Sequence, residues 1–454
     1  MIPPSASSPS DTDATGPDSR RPATRRARRR RVLMVAPTSF FADYGCHVRI
    51  LEEARVLTRK GQDVSIVTYY SGGDVDELDI MRTAPIPWRR DYEVGSSRHK
   101  IGFDMLLGAR TAAAVLRLRP DVVHGHLHEG ALIGGAIARM IRRPLVFDFQ
   151  GSLSGEMIDH GFLNPEGRLV GPVRRMERLI NDLPDAILTS SRNAAAHLVD
   201  RWGVKPARLH ALPDCVNTSV FHPELLDEAE RSRDREALGI PRSARVVVYL
   251  GLLARHQGTD LLLQAARRVV DARTDTYFLV MGFPGPDVYA AQAQDLGLTG
   301  NVVFTGRVPY ADAPRRLALG DVAVAPKLSA TEGSGKLLNY MSMGLPTVTF
   351  DTPVSREYLG DDGVYAVTGD ATSLADRLLQ LLDDLPAAAT AGARLRERAV
   401  AEFDWDRAGD VLIDVYDLVA RRRAGDRATS TAEQQPRPAP DGRSSRAERE
   451  GSWR

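Results

Sequence analysis

Two kinds of apolar pattern alternate along the chain. Short, nearly unbroken runs occur at Arg31–Ala36, Val64–Thr68, Asp121–His126, Leu145–Phe149 and Ala186–Ser190. Apolar residues at successive positions are the mark of strands covered on both faces, as in a parallel sheet. Between the first two runs, residues 46–60 place Ile50, Leu51, Ala54 and Leu57 on one helical face, and Gly61 ends the pattern. Residues 101–118 repeat the helical spacing. After a charged connector over 224–240 the alternation starts again. Strands are predicted at Ala244–Gly251, Thr276–Met281, Asn301–Phe304, Asp321–Ala325 and Thr347–Phe350, with helices over 259–272, 287–296, 337–343 and a helical region over 371–401. A last amphipathic helix, 403–419, carries Trp405 and Tyr416. The pattern predicts an α/β protein of two Rossmann-like domains facing each other across a cleft.

The predicted division is a first domain over 31–218, a second over 219–401, and a helix over 402–423. Residues 1–30 and 424–454 are polar and read as disordered. Between Arg20 and Arg31, eight of twelve residues are arginine, so the sharper reading of the first arm is an electrostatic tether to anionic lipid. A formal net charge of +1 over 454 residues gives no bulk attraction to nucleic acid. Two distant cysteines, Cys46 and Cys215, fit a reducing compartment better than a disulfide framework. With no long apolar run and no signal-peptide pattern, the expected location is cytoplasmic, with peripheral contact at the inner membrane face. Residues 166–181 sharpen that expectation, because arginines alternate there with Leu169, Val173, Met176 and Leu179.

Candidate chemistry gathers at the carboxyl ends of the predicted strands, where doubly wound sheets bind ligands. Beyond the strand ending at Ala325, a loop holds Glu332, Gly333, Gly335 and Lys336 and opens a short helix stopped by Gly344. Glycine-freed N–H groups and a helix N-terminus suit an anion such as a pyrophosphate. Gly45 stands at the equivalent junction in the first half, a single glycine without a G-x-G-x-x-G pattern. The strand at 121–126 delivers His124, His126 and His128, with Glu129 beside them. Alternate residues of a strand share a face. Three or four converging ligands would be needed for a metal, and the sequence offers these histidines no partners, so no metal is expected. His126 is instead placed to meet a sugar hydroxyl or a leaving phosphate. The polar loop from Gln150 through Ser152 reads as acceptor-side.

Over residues 31–421 these pieces resemble, in order, the retaining nucleotide-sugar-dependent glycosyltransferases of family four, which have the GT-B fold. The similar segments are Pro37–Gly61, Asp121–His126, Gly251–Gly258, Phe304–Arg307 and Asn339–Val348. The resemblance implies a nucleotide diphosphate-sugar as co-substrate, no cofactor, and a C-terminal helix packing back on the first domain. It implies donor contacts from Gly45, Arg255, Gly306, Arg307, Gly333, Ser334, Gly335, Lys336, Leu337 and Asn339. It assigns His126 and Glu332 to the sugar and the reacting carbon. The acceptor, lipid-linked or glycan, is left open. A front-side course, in which the leaving phosphate takes the acceptor proton, is also an implication of the family.

Three departures accompany the likeness. Asn339 stands where the family has the second of two glutamates, and counting back puts Thr331 at the first, with Glu332 one residue off. The phosphate-side loop has Leu252 and Gln257 in place of the usual arginine and lysine. Arg255 or Lys336 is expected to supply that charge. The alternative is a degenerate GT-B protein that binds a nucleotide sugar, or a partner enzyme, without turnover.

Overall fold

The computed structural model describes residues 28–42, 45–85, 100–159, 162–329 and 333–433. The first arm to residue 27, the tail from 434, and Thr331 and Glu332 lie outside the described residues. In the first half the elements are β1 (Arg31–Ala36), α1 (Gly45–Arg59), β2 (Asp63–Thr68), β3 (Asp79–Arg82) and α2 (Lys100–Leu118). They continue with β4 (Val122–His126), α3 (Leu127–Met140), β5 (Leu145–Phe149), α4 (Leu153–Asp159) and α5 (Val170–Asp182). Then come β6 (Ala186–Thr189), α6 (Arg192–Trp202) and β7 (Leu209–Ala211). The second half begins with α7 (Glu228–Ala237), β8 (Arg245–Leu252), α8 (Thr259–Ala272), β9 (Thr276–Phe283) and α9 (Pro286–Asp295). It proceeds through β10 (Val302–Gly306), α10 (Ala313–Leu317), β11 (Val322–Ala325), α11 (Gly335–Ser342), β12 (Thr347–Phe350) and α12 (Pro353–Leu359). The last elements are β13 (Val364–Ala366), α13 (Ala371–Asp383), α14 (Leu385–Glu402) and α15 (Trp405–Glu433).

Each half forms one sheet in which every pairing is parallel, in the orders β3-β2-β1-β4-β5-β6-β7 and β10-β9-β8-β11-β12-β13. The continuous apolar runs explain this, since the strands bury both faces against separate clusters of helix side chains. Strand order reverses between β1 and β4 in one sheet and between β8 and β11 in the other. Loops leaving those neighbouring strands diverge to opposite faces and open a crevice at each switch point. The two crevices face each other and together make the cleft.

The last helix joins the halves. Val216, on the way out of the first sheet, donates its N–H to the Phe403 carbonyl at 2.8 Å. From there α15 turns back onto the first domain and buries Trp405, Leu412, Tyr416 and Val419 with Ile50 and Leu57 of α1 and Met34 of β1. Lys60 to Asp410 at 2.7 Å and Arg59 to Asp406 at 2.9 Å line its flank.

Several expectations change. The final helix runs to Glu433, so 424–433 is helical rather than a disordered tail. Arg30, placed in the arm by sequence, is buried, with its N–H on Gln62 Oε1 at 3.0 Å and its guanidinium on Asp417. Within the charged connector lies α7, opened by a capping box between Asp227 and Glu230. Its Arg231 and Arg235 reach Asp321 at the foot of β11, which fixes a polar helix that has little apolar surface to bury. His128 is not on a strand, because α3 begins at Leu127, directly after β4. Glycine allows that contact: a Cβ on Gly125 would lie 2.6 Å from the Gly130 carbonyl oxygen, and one on Gly130 2.5 Å from that of Val35. The first turn of α3 therefore sits directly on the sheet and points His128 and Glu129 at the cleft.

Candidate functional site

The cleft has a volume of about 450 Å³, within the range of small-molecule sites. Its walls are the carboxyl ends of β1, β4 and β5 on one side and of β8, β9 and β11 on the other.

On the second-domain side, α11 is anchored by Leu337 and Met341, both buried, each worth about 1.5–3 kcal/mol of apolar transfer. That anchoring fixes where Lys336 points. Its ammonium donates to Tyr249 Oη at 3.2 Å and to Gln257 Oε1 at 3.1 Å, and lies 4.4 Å from the centre of the Tyr249 ring. It also rests on Gly251, where a Cβ would come within 2.7 Å of Nζ. The lysine of α11 thus reaches the side chain of residue 257, the position at which the sequence lacks a cation. A second lysine, Lys327, donates to the Gly333 carbonyl at 2.7 Å and lines the cleft. Gly335 opens α11, and Ser334 before it lines the cleft and carries a buried hydroxyl with no hydrogen-bond partner among the described residues. Asn339, one turn further along α11, also lines it.

On the first-domain side, the floor is a buried network around Arg49 of α1. Its guanidinium donates to Asp148 Oδ1 at 2.7 Å, to Asp214 Oδ1 at 3.0 Å and to the Leu212 carbonyl at 3.1 Å, and pairs with Glu53 at 3.1 Å. Burial works to raise the Asp148 carboxyl, but the Arg49 charge and the His126 hydrogen bond override it and hold the group well below the usual range. Burial, with the neighbouring Asp148, pushes Glu53 well up despite Arg49. Asp214 is raised by burial as well. His124, desolvated and beside His126, is lowered well below its ordinary value and is neutral at neutral pH. Above this floor His128, Glu129, Gln150 and Glu156 face the cleft.

The domains touch beside the site. Glu357 of α12 accepts from the Arg192 N–H at 2.8 Å, so a carboxylate of one domain caps α6 of the other. Tyr358 Oη donates to the Ser190 carbonyl at 2.9 Å. Gly333 abuts the first domain so closely that a Cβ would lie 2.2 Å from Asp214 Oδ2.

The structure gathers Gly45, Gln150, Gly333, Ser334, Gly335, Lys336 and Asn339 on the cleft and leaves other expected residues off it. Arg255 points to solvent, 92% exposed and 3.5 Å from Asp260, because it sits on a short 3-10 turn whose inward positions belong to His256 and Gln257. The Leu337 side chain faces the core, and its N–H is taken by the Ser334 carbonyl at 2.9 Å. Ser152 is buried and donates to Glu177 Oε1 at 2.8 Å, holding the start of α4. Gly306 and Arg307 lie outside the lining, Arg307 with its guanidinium 5.0 Å from the centre of the Phe283 ring; Phe283 and Val308 form the wall there. His126 is fully buried beneath the floor with Nδ1 3.2 Å from Asp148, and His128 takes the wall position. Glu332 lies outside the described residues.

Sequence reasoning passed over Lys327, Arg49 and Asp214. Lys327 had a signal, two residues beyond a parallel strand. Arg49 and Glu53 had one too: charges on the helical face otherwise made by Ile50, Ala54 and Leu57. Asp214, in a connecting segment, had none.

Residues 44–215 match the family described as glycosyl transferase 4-like domain, and residues 244–384 match glycosyl transferases group 1. The chain is 26% identical over 396 residues to a D-inositol 3-phosphate glycosyltransferase of Catenulispora acidiphila, covering 82% of this chain and 90% of that one. It is 25% identical to a phosphatidyl-myo-inositol mannosyltransferase of Mycobacterium leprae, covering 86% and 97%. Among solved structures it resembles a sucrose-phosphate synthase of Thermosynechococcus elongatus, with a TM-score of 0.70, 16% identity and coverage of 89% and 100%. The Anabaena protein HepE in complex with UDP and glucose gives a TM-score of 0.69, 15% identity and coverage of 86% and 99%.

Proposed function

The chain belongs to the glycosyl transferases of group 1, and on that premise we propose how its cleft moves a sugar from a nucleotide diphosphate donor to an acceptor hydroxyl. The family's reaction retains the anomeric configuration. The observation that carries the proposal is the Lys336 ammonium at the start of α11, against Gly251 and Gln257. A diphosphate seated on the α11 N-terminus meets the helix dipole, the N–H groups near Gly335 and the Lys336 charge together. As the bond from the anomeric carbon to the phosphate breaks, its electron pair stays on the phosphate oxygen. Lys336, with Lys327 nearby, stabilises that growing charge in a site fixed before the reaction starts. The acceptor oxygen forms the new bond on the same face, and its proton passes to the departing phosphate. Asn339 holds a ribose hydroxyl, and the base lies toward Phe283 and Val308.

The degenerate alternative rested on Leu252, Gln257 and Asn339 standing where the family has charged residues. A lysine delivered to residue 257 from another element weakens it.

On the opposite wall we assign Gln150, Glu129 and Glu156 to the acceptor. The carboxylates of Glu129 and Glu156 and the amide of Gln150 offer hydrogen-bond partners that suit a polyol or glycan hydroxyl. Lipid linkage is supported by α5 and the turn before it, where Leu169, Met176 and Leu179 are exposed among Arg168, Arg175 and Arg178. Among the described residues no helix is long and apolar enough to cross a membrane.

The test is a panel of UDP-, GDP-, ADP- and TDP-sugars against the purified protein, following release of nucleoside diphosphate with phosphoinositol, phosphatidylinositol and glycan acceptors. Release with one donor, lost in Lys336→Ala, supports the assignment. Tight donor binding with no release under any acceptor overturns it. Flotation with anionic vesicles tests the surface assignment, which fails if the chain ignores them.

A further inference from the structure

The cluster beneath the cleft contains an arrangement that sugar transfer does not use. Glu53 of α1 and His124 and His126 of β4 bring one ligand atom each to within 4.8 Å of one another, and all three residues are fully buried. Among the described residues neither histidine Nε2 has a hydrogen-bond partner, and neither Glu53 carboxylate oxygen accepts a hydrogen bond. The other ring nitrogens are engaged: His124 Nδ1 lies 2.8 Å from Tyr416 Oη, and His126 Nδ1 lies 3.2 Å from the Asp148 carboxylate.

We propose that Glu53, His124 and His126 bind a first-row divalent cation, of the zinc(II) class, as a structural ion beneath the floor of the cleft. Three independent features of the chain converge on this. His126 Nδ1 lies 3.2 Å from the Asp148 carboxylate, and the tautomer that donates Nδ1–H to it carries its lone pair on Nε2, which is the usual outer-shell arrangement of a metal-bound imidazole. Two imidazoles and one carboxylate suit zinc and its neighbours and are poor ligands for magnesium or calcium. Charge is the third feature. One guanidinium, that of Arg49, is divided among Glu53, Asp148 and Asp214 at 3.1, 2.7 and 3.0 Å, and a cation bound to Glu53 relieves that sharing.

Binding draws the three ligand atoms inward to metal–ligand distances of about 2.0–2.2 Å. It also opens the two imidazoles, which stack at 4.3 Å between ring centroids. A water completes the tetrahedral shell. Because Tyr416 belongs to α15, the ion ties α1, β4 and the returning helix at one point. The three ligands are sealed from the cleft, so the ion loads as the first domain folds and takes no part in transfer.

The experiment is metal analysis of the full chain produced with zinc supplied, together with refolding of metal-stripped chain in zinc(II) or cobalt(II). About one zinc per chain is expected, with a visible cobalt d–d band and a Tm that rises on metal addition. Glu53→Gln keeps the shape of the side chain, and near-UV circular dichroism checks that the variant is folded; metal content falls at least tenfold in it and in His126→Asn. Wild-type chain that takes up neither zinc nor cobalt on refolding overturns the proposal. So does metal retained by both variants. Neither readout depends on sugar transfer, so this result and the transferase assignment stand or fall separately.

Discussion

On the second-domain wall Lys336 is held by a phenol hydroxyl and an amide oxygen, whereas on the first-domain floor Arg49 is shared among three carboxylates. Both are cations within the same cleft, yet their surroundings give them different work. The Tyr249 hydroxyl and the Gln257 amide oxygen orient the Lys336 ammonium at the start of α11, on the wall that an arriving anion meets. An arginine bridging Asp148, Asp214 and Glu53 has its charge committed inside the fold, and its planar fork suits that task. The difference teaches how to separate binding charge from structural charge: a cation on the cleft wall at a helix N-terminus is placed to bind, and one shared among buried carboxylates is placed to hold the fold.

That contrast breaks most severely at Arg49. Arg49→Met leaves buried carboxylates without their cation and should cost about 3–5 kcal/mol of stability, read from urea unfolding. A loss below 1 kcal/mol would mean the network is not structural. Lys336→Ala should lower kcat/KM at least tenfold while the urea midpoint stays near wild type, because the charge serves the transition state. Near-normal transfer would remove Lys336 from the phosphate role. Gly333→Ala places a methyl group 2.2 Å from Asp214, a clash across the domain contact that should cost about 1–3 kcal/mol in stability or donor binding. Asp214→Ala in the same chain should recover part of it, a coupling that a double-mutant cycle measures. The smallest effect belongs to Arg255→Ala, within about twofold in donor KM, since the side chain is solvent-facing and paired to Asp260.

Much of the fold was legible in the chain. Parallel strands buried on both faces leave unbroken apolar runs, and the helices between them leave a 3.6-residue spacing, so β1, α1, β8, α8 and β12 were placed within a residue or two. Short edge strands such as β3 and β13 carry too few residues for a pattern. The helix α3 was not predicted, because its start directly after β4 depends on the close packing that Gly125 and Gly130 allow, which no local pattern shows. At the site, the glycine loop and Lys336 announced themselves by position after a strand. Arg255 looked equivalent to Lys336 in charge and spacing; only the turn over 255–257 showed that it faces outward.

Local order and ligand class therefore belonged to the sequence alone, because backbone geometry and the strand-end rule act over a few residues. Which charges meet belonged to the tertiary structure. Lys336 finds Gln257, Arg49 finds Asp214 and Glu53 finds the two β4 histidines across long separations in the chain. Such meetings depend on the packing of helices onto two sheets, and no local pattern encodes where those surfaces come together.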